Sequence, residues 1–323
     1  MGLRGFVAAL AALCVVVGVS APAAAAAEEE KPRYPVMCNI IPGVAQTAVA
    51  PGSAPLGAND WECEPSEEHP NPVVLVHGLI ANATDNWSTM SPLLANNGYC
   101  VFALTYGEHP DLPPWIAGMD PMEESAAELD VFVEEVLAAT GAERVDLVGH
   151  FQGTIMPQYY LKFLGGAPKV QRYVAITPVY GGTSLHGSSE VFDRLAAEVP
   201  AVGQLADTAC GPCRQFFPGS EFMQKVSAGG SAVPGIEYTT IMTEYDELVT
   251  PCTSGFLDGA NNIVIQDECP QDCSEHLSLV TDANAAQFVL NALDPANAQP
   301  VTCYPVLPVL GGGPVHAGPR PVF

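Results

Sequence analysis

Arg144-Val-Asp-Leu-Val-Gly-His-Phe-Gln-Gly-Thr-Ile-Met156 is the stretch that decides the fold. Its apolar residues Val145, Leu147 and Val148 predict a short buried strand. Apolar residues then recur at helical spacing from Ile155 to Phe163, which predicts a helix. The sequence therefore predicts a strand, a sharp turn and a helix in close succession.

The turn in this stretch has the layout of a nucleophile elbow, in which a serine between two glycines stands on a strained strand-to-helix turn. Gly149 and Gly153 are in place, and they leave room for the helix and for the neighbouring strand. Phe151 occupies the serine position. The elbow backbone costs about 1–3 kcal/mol for a bulky residue. A serine offsets this strain with reactivity, whereas a phenyl ring cannot attack a carbonyl.

Strands and helices alternate on both sides of the elbow. Buried strands are predicted at 73–76, 99–104, 145–148, 173–176, 238–242 and 263–265. Helices are predicted at Trp87–Asn97, Glu123–Thr140, from the elbow to Leu164, and at Thr281–Leu293. This alternation predicts an α/β fold with a mostly parallel central sheet and helices on both faces.

The predicted main domain spans residues 72–293. In front of it, residues 28–71 are rich in Pro, Gly and Ala and predict an extended N-terminal arm held by Cys38 and Cys63. Residues 178–235 break the strand and helix rhythm. They predict an inserted cap over the strand ends, with an ordinary long loop as the alternative. Residues 294–323 predict an irregular C-terminal tail.

Residues 1–27 have the three parts of a secretory signal peptide, namely a basic start at Arg4, the apolar run Phe6–Val19 and an alanine-rich cleavage region. We therefore expect a secreted protein without a stable membrane anchor. The formal net charge is -25, from 36 acidic and 11 basic residues. Nucleic-acid binding and attraction to anionic membranes both need a basic face, so the composition argues against both.

Nine of the ten cysteines remain after cleavage of the predicted signal peptide, which contains Cys14. In an exported chain we expect disulfides, with one cysteine left over. Cys210-Gly-Pro-Cys213 predicts a tight structural bridge, with a redox dithiol as the alternative. Cys269, Cys273 and His276 offer zinc-ligand atoms, but we favour oxidation of these thiols. No metal and no cofactor are predicted.

An acyl-transfer site needs a nucleophile, a histidine base and an acid that orients the base. Asp246 follows a predicted strand, and His276 lies on a later loop. The chain order is then nucleophile position, Asp, His, as in α/β-hydrolases. Strand ends of an open parallel sheet converge on one crevice, so these distant positions can meet there. Glu244 and Glu247 compete with Asp246 for the acid role.

The same chemistry needs donors for the oxyanion. His77-Gly78-Leu79 follows the first buried strand and can present one main-chain N–H, and Gln152 after the elbow can present the second. Thr154 is the nearest hydroxyl to position 151. We expect it to face away from the crevice, so it is not nominated as a substitute nucleophile.

Several segments between Pro72 and Leu293 form a combined pattern: Pro72-Val-Val-Leu-Val-His-Gly78, Asn86-Trp87, Gly98-Tyr-Cys-Val-Phe-Ala-Leu-Thr-Tyr-Gly107, Val145-Asp-Leu-Val-Gly-His150 with Gly153, Tyr159-Tyr-Leu-Lys-Phe-Leu-Gly-Gly166, Tyr245-Asp246 with Val249-Thr-Pro251, and His276-Leu277. In combination they resemble the secreted class 2 lipases of bacteria. The resemblance implies an α/β-hydrolase fold. It also implies hydrolysis of carboxylic esters, acylglycerols among them, by a Ser-His-Asp triad without a metal.

By that resemblance, His276 is the base, Asp246 is its orienting acid, and the N–H groups of Leu79 and Gln152 form the oxyanion hole. The implied partner is a lipid or ester small molecule, with contact to a lipid interface. The family pattern Gly-His-Ser-Gln-Gly has serine where this chain has Phe151. Loss of a triad nucleophile removes several orders of magnitude of rate.

Phe151 leaves several hypotheses open. The first is a lipase/esterase whose activity depends on what stands at position 151. The second is a non-catalytic relative that binds lipid or ester ligands, with Phe151 in an apolar floor. The third is a single-base variant or sequence error in an active lineage, because serine and phenylalanine codons can differ at one base. The fourth is an acyltransferase on the same fold.

Overall fold

The computed structural model describes residues 33–313, so the predicted signal peptide at 1–27 and residues 314–323 of the predicted tail lie outside the described residues. A parallel sheet of six strands, in the order β2-β1-β3-β4-β5-β6, forms the centre. The strands are β1 (Val73–Val76), β2 (Val101–Leu104), β3 (Val145–His150), β4 (Val170–Ile176), β5 (Glu237–Met242) and β6 (Asn261–Val264). The elbow strand β3 thus lies inside the sheet, between β1 and β4.

Ten α-helices lie within the described residues: α1 (Ile41–Val49), α2 (Ala83–Asn86), α3 (Met90–Asn96), α4 (Met122–Thr140), α5 (Gln152–Phe163), α6 (Ser188–Glu198), α7 (Pro200–Ala209), α8 (Glu221–Ser227), α9 (Ile265–Glu268) and α10 (Ala283–Leu293). Strand residues alternate between the two faces of the sheet. Val74 and Val76 pack with α4 and α5 on one face, and Val73 and Leu75 pack with α3 and α10 on the other. The predicted α/β class, with helices on both faces, is confirmed.

The predicted helix Trp87–Asn97 is wrong at its N-terminal end. Residues 87–89 form a turn, and α2 and α3 are separate helices on either side of it. Pro92 lacks the N–H that would donate to the carbonyl of Ser88, which weakens a continuous helix at this point. In the first turn of α3 the same proline is tolerated because those N–H groups have no helical acceptor.

The predicted extended arm at 28–71 is wrong where it contains α1. This helix begins with Pro42 in its first turn, where a missing N–H costs little. Gly43 lets α1 approach α2 closely, since a Cβ there would lie 2.7 Å from the carbonyl oxygen of Asp85. Further along, Cys63 is bridged to Cys100 beside β2. Residues 33–71 are therefore packed against the main domain.

Three disulfides lie within residues 33–313: Cys63–Cys100, Cys210–Cys213 and Cys269–Cys303. The expectation of one leftover cysteine is wrong, because Cys252 and Cys273 both lie outside these bridges. The structure pairs Cys210 with Cys213, as the sequence predicted. Because Cys269 is bonded to Cys303, its sulfur is not available as a thiolate to bind zinc together with Cys273 and His276.

Residues 178–235 hold α6, α7 and α8. This segment reaches the elbow through Phe216, whose ring stacks on that of Phe151. It also contacts the loop after β2, because a Cβ at Gly211 would lie 2.7 Å from Pro121. Across residues 33–313, no helix combines the length and apolarity needed to cross a bilayer.

Candidate active site

The elbow at the end of β3 has the backbone that the sequence predicts. Phe151 has φ +47° and ψ -107°, a region that a bulky side chain rarely adopts. A Cβ at Gly149 would lie 1.9 Å from the carbonyl oxygen of Gly153, and one at Gly153 would lie 2.0 Å from that of Val76. Both glycines are thus required by close approach, of α5 to β3 and of α5 to β1. The strained turn is kept although the residue on it is phenylalanine.

The phenyl ring of Phe151 is nearly buried, with 7% of the residue exposed. It stacks on Phe216 with ring centroids 4.7 Å apart and planes 14° apart. Its other neighbour is the imidazole of His276, which it meets edge-on at 4.8 Å between centroids. The ring therefore lies between the 178–235 segment and the predicted base, where a serine side chain would leave open space.

The imidazole of His276 is oriented by one carboxylate. Its Nδ1 lies 2.9 Å and 3.1 Å from the two oxygens of Asp246, and both side chains are buried. Asp246 Oδ1 also accepts the main-chain N–H groups of Leu248 and Val249, at 3.0 Å and 2.7 Å. With Nδ1 held by the carboxylate, Nε2 is the ring nitrogen left for proton transfer.

The rival acids do not reach the imidazole ring. Glu244 is exposed, and its main-chain N–H donates to the side chain of Gln266. The carboxylate of Glu247 accepts the main-chain N–H of His276 at 3.4 Å. Of the three carboxylates considered from the sequence, Asp246 is therefore the one that contacts the ring.

The predicted main-chain donors lie beside the elbow. Gly78 precedes Leu79, and a Cβ on Gly78 would lie 3.4 Å from Cβ of Phe151. Gly118 lies close to both donor residues, since a Cβ there would lie 3.4 Å from Cα of Leu79 and 3.3 Å from Oε1 of Gln152. Gln152 is the first residue of α5, so its N–H has no intrahelical acceptor. Leu79 likewise donates its N–H to no acceptor within residues 33–313.

Thr154 does not offer a free hydroxyl. Its Oγ1 donates to the carbonyl of Phe151 at 2.6 Å and accepts the N–H of Val179 at 3.3 Å. Both contacts hold the hydroxyl inside the elbow, and the residue is buried. The structure thus gives no substitute for the missing serine at this position.

Two further histidines are buried behind the site. His77 stacks on Tyr106, and burial lowers the pKa of His77 to about 4. Burial also lowers the pKa of His150 well below its usual range, and a charge on the nearby His276 would lower it further. His150 Nδ1 lies 2.9 Å from Oδ1 of Asn86, and its Nε2 lies 3.2 Å from the carbonyl oxygen of His276. These side chains form a second layer around the crevice.

The sequence reasoning missed Phe216 and the bridging role of Asn86. Phe216 lies far from Phe151 along the chain, in a segment without periodicity, so no local pattern could reveal their stacking. For Asn86 a signal existed, because Asn86-Trp87 belongs to the quoted pattern and Asn82 with Asp85 forms a capping box that places α2. The side-chain contacts of Asn86 nonetheless depend on tertiary structure.

A parallel sheet with helices on both faces, a sharp elbow after an inner strand, and an Asp-His pair on loops at the same sheet edge define the α/β-hydrolase class. The family model for class 2 lipases matches residues 70–289. The chain therefore belongs to the class 2 lipase family.

Individual lipases are similar to this chain over a shorter stretch than the family model. Triacylglycerol lipases of Pseudarthrobacter phenanthrenivorans and Burkholderia plantarii are each 35% identical over 94 residues, which is 27% of this chain. That stretch covers 27% of the first relative and 24% of the second, so the match spans about a quarter of each. Among solved structures, Aspergillus fumigatus lipase B shares the fold, with a TM-score of 0.57 and 19% identity over 77% of this chain and 56% of that one.

Proposed function

We propose that this chain is a secreted lipase/esterase-type protein with a site for carboxylic esters, acylglycerols among them, in which Phe151 prevents formation of an acyl-enzyme. Family membership supports the ester class. The observation that carries the proposal is the buried contact between Asp246 and His276, with the imidazole directly beside the residue on the elbow.

The chemistry follows from the roles that each group can play. With serine at position 151, its hydroxyl oxygen would attack the ester carbonyl while Nε2 of His276 took its proton. The base would return that proton to the departing alcohol, and a water activated in the same way would release the carboxylic acid. Asp246 would hold the ring and stabilise its charged form. With Phe151 in place, the first bond cannot form.

The two main-chain donors complete this proposed site. The carbonyl oxygen of the ester becomes negatively charged in the transition state, and main-chain N–H groups without other acceptors can stabilise it. Leu79 and Gln152 present such groups on either side of the elbow residue. Binding and polarisation of an ester therefore remain available to the natural chain, although covalent catalysis does not.

One observation favours the second function, ligand binding without turnover. The stacked rings of Phe151 and Phe216 place apolar atoms at the contact between the 178–235 segment, proposed as the cap, and the Asp-His pair, and both rings are nearly buried there. Apolar atoms at this contact would suit an acyl chain if the contact opens. Three disulfides and the predicted signal peptide support an exported location for either function.

The test compares the natural protein with Phe151→Ser and Phe151→Ala on p-nitrophenyl butyrate and palmitate. We expect turnover by Phe151→Ser on the order of 10³-fold or more above the natural protein. Phe151→Ala is the matched control, because it also opens the crevice but supplies no hydroxyl. If Phe151→Ser stays as inert as Phe151→Ala, the proposed triad is wrong. Saturable binding of a fatty-acid ester by the natural protein, without hydrolysis, would favour the second function.

A further inference from the structure

Asn86 ends α2 and is almost fully buried beside the candidate site. Its Oδ1 accepts the main-chain N–H of Gly78 at 3.1 Å and lies 2.9 Å from Nδ1 of His150. Its Nδ2 is buried and donates to no acceptor within residues 33–313. The hydrogen bonds of this side chain are therefore directed at the candidate site.

The chemistry of these contacts fixes the direction of each one. A main-chain N–H can only donate, so the atom that faces Gly78 must be the amide oxygen of Asn86. That oxygen cannot donate to the imidazole, so Nδ1 of His150 must carry the proton they share. The other ring nitrogen of His150 lies 3.2 Å from the carbonyl oxygen of His276. One acceptor atom thus joins two parts of the site, and the neutral ring of His150 has no second proton to donate to the carbonyl oxygen of His276.

The joined parts are the ones that carry the two oxyanion donors. Gly78 directly precedes Leu79, and His150 ends the strand that leads to Gln152. They are packed tightly, since a Cβ on Gly78 would lie 3.1 Å from Nδ1 of His150. A shift of either part would change the distance between the two N–H groups.

We infer that Asn86 is a positioning residue that sets the spacing between the N–H groups of Leu79 and Gln152. This inference rests on the proposed function, because it assigns those groups to the oxyanion. It explains why a polar residue with one unused amide group is kept in a buried position. Asn86 does not touch the reacting atoms and acts through Gly78 and His150.

Kinetics in the Phe151→Ser background test the consequence. Asn86→Leu keeps the branched shape of the side chain but removes the acceptor, whereas Asn86→Asp keeps the acceptor. Thr89→Val is the control in the turn that follows α2, because it removes a hydrogen bond from the Thr89 hydroxyl to the main-chain carbonyl of Met37. We expect Asn86→Leu to lower kcat about tenfold or more with KM within about twofold, because a misplaced donor weakens transition-state stabilisation. Asn86→Asp should retain most of kcat, and Thr89→Val all of it. An unchanged kcat in Asn86→Leu, or an equal loss in Thr89→Val, would overturn the inference.

NMR on the natural protein tests the contacts without any activity. We expect a proton on Nδ1 of His150 and slow hydrogen exchange at the amide of Gly78. Asn86→Leu should abolish the slow exchange, and Thr89→Val should not. A bare Nδ1 on His150, or a Gly78 amide unaffected by Asn86→Leu, contradicts the inference even if no variant is active. An inert Phe151→Ser protein with both NMR signatures would instead overturn the proposed function and support the Asn86 bridge.

Discussion

The two sides of the crevice differ in which side chains of a hydrolase site they carry. On the base side, His276 and Asp246 are buried and hydrogen-bonded in the geometry that proton transfer requires. On the elbow side, the strained backbone and both glycines are present, but a phenyl ring fills the position that reacts. The Asp-His pair is thus assembled, whereas the elbow carries a phenyl ring.

This difference shows which parts of the site depend on the scaffold. The elbow conformation follows from the close approach of α5 to β1 and β3, which forces glycine at positions 149 and 153 whatever lies between them. The fold therefore holds the strained backbone with a phenylalanine on it. Stacking on Phe216 offsets part of this strain, because an aromatic pair adds about 0.5–1.5 kcal/mol beyond area burial.

The largest expected effect concerns the base side. In the Phe151→Ser background, Asp246→Asn should lower kcat by about 10⁴-fold, because the amide no longer holds His276 in the required tautomer. Glu247→Gln is the control, since its carboxylate accepts the main-chain N–H of the histidine rather than binding the ring. Ester hydrolysis measures both. Equal losses in the two variants would mean that Asp246 is not the orienting acid.

A smaller effect concerns the elbow side. Phe216→Ala in the natural chain should lower the free energy of unfolding by about 3–5 kcal/mol, because the ring is buried against Phe151. A double-mutant cycle with Phe151→Ala should give a coupling of about 0.5–1.5 kcal/mol. Urea denaturation measures each term. Additive losses would show that the stacked pair contributes nothing of its own.

The smallest effect depends on pH and concerns Asp282. Its Oδ1 caps α10 by accepting the main-chain N–H groups of Asn284 and Ala285. Burial, and then the neighbouring Asp272, raise the pKa of Asp282 well above its usual range. The protonated form therefore suits the folded state. Its stabilising contribution is complete below the unfolded pKa of about 4 and is lost as pH rises through the folded pKa.

Asp282→Asn should remove this loss. We expect the variant to match the natural protein near pH 4 and to exceed its free energy of unfolding by about 1 kcal/mol at pH 8. Asp111→Asn, at an exposed site, should change neither value. If the free energies of unfolding of Asp282→Asn and the natural protein changed in parallel with pH, the raised pKa of Asp282 beside Asp272 would be contradicted.

Much of the fold was predictable because buried strands are continuous apolar runs. Val73–Val76 was located by that signal, and the strand predicted at 145–148 extends to His150 in the structure. Helix ends were less predictable where one residue fits two positions, as at Pro92, which disfavours a helix interior but lies in the first turn of α3. The helix α1 was missed because Pro42 and Gly43 also signal a loop.

The candidate site was predictable in part. Asp246 and His276 could be nominated because parallel strands bring their loops to one edge of the sheet. Their order along the chain, with the nucleophile position first, then Asp, then His, also matched that of α/β-hydrolases. The choice between Asp246 and its neighbouring glutamates needed side-chain geometry. The contacts of Phe216 and Asn86 depend on how distant segments pack, and no local pattern encodes them.

The most direct measurement treats the natural protein and Phe151→Ser with a fluorophosphonate ester and locates the adduct by mass spectrometry. Such a reagent bonds covalently to a hydroxyl that is activated by a neighbouring base. We predict an adduct on the introduced serine at position 151 and no adduct on the natural chain. Failure to modify that serine, or an adduct on another residue of the natural chain, would contradict the claim that Phe151 alone interrupts a complete hydrolase site.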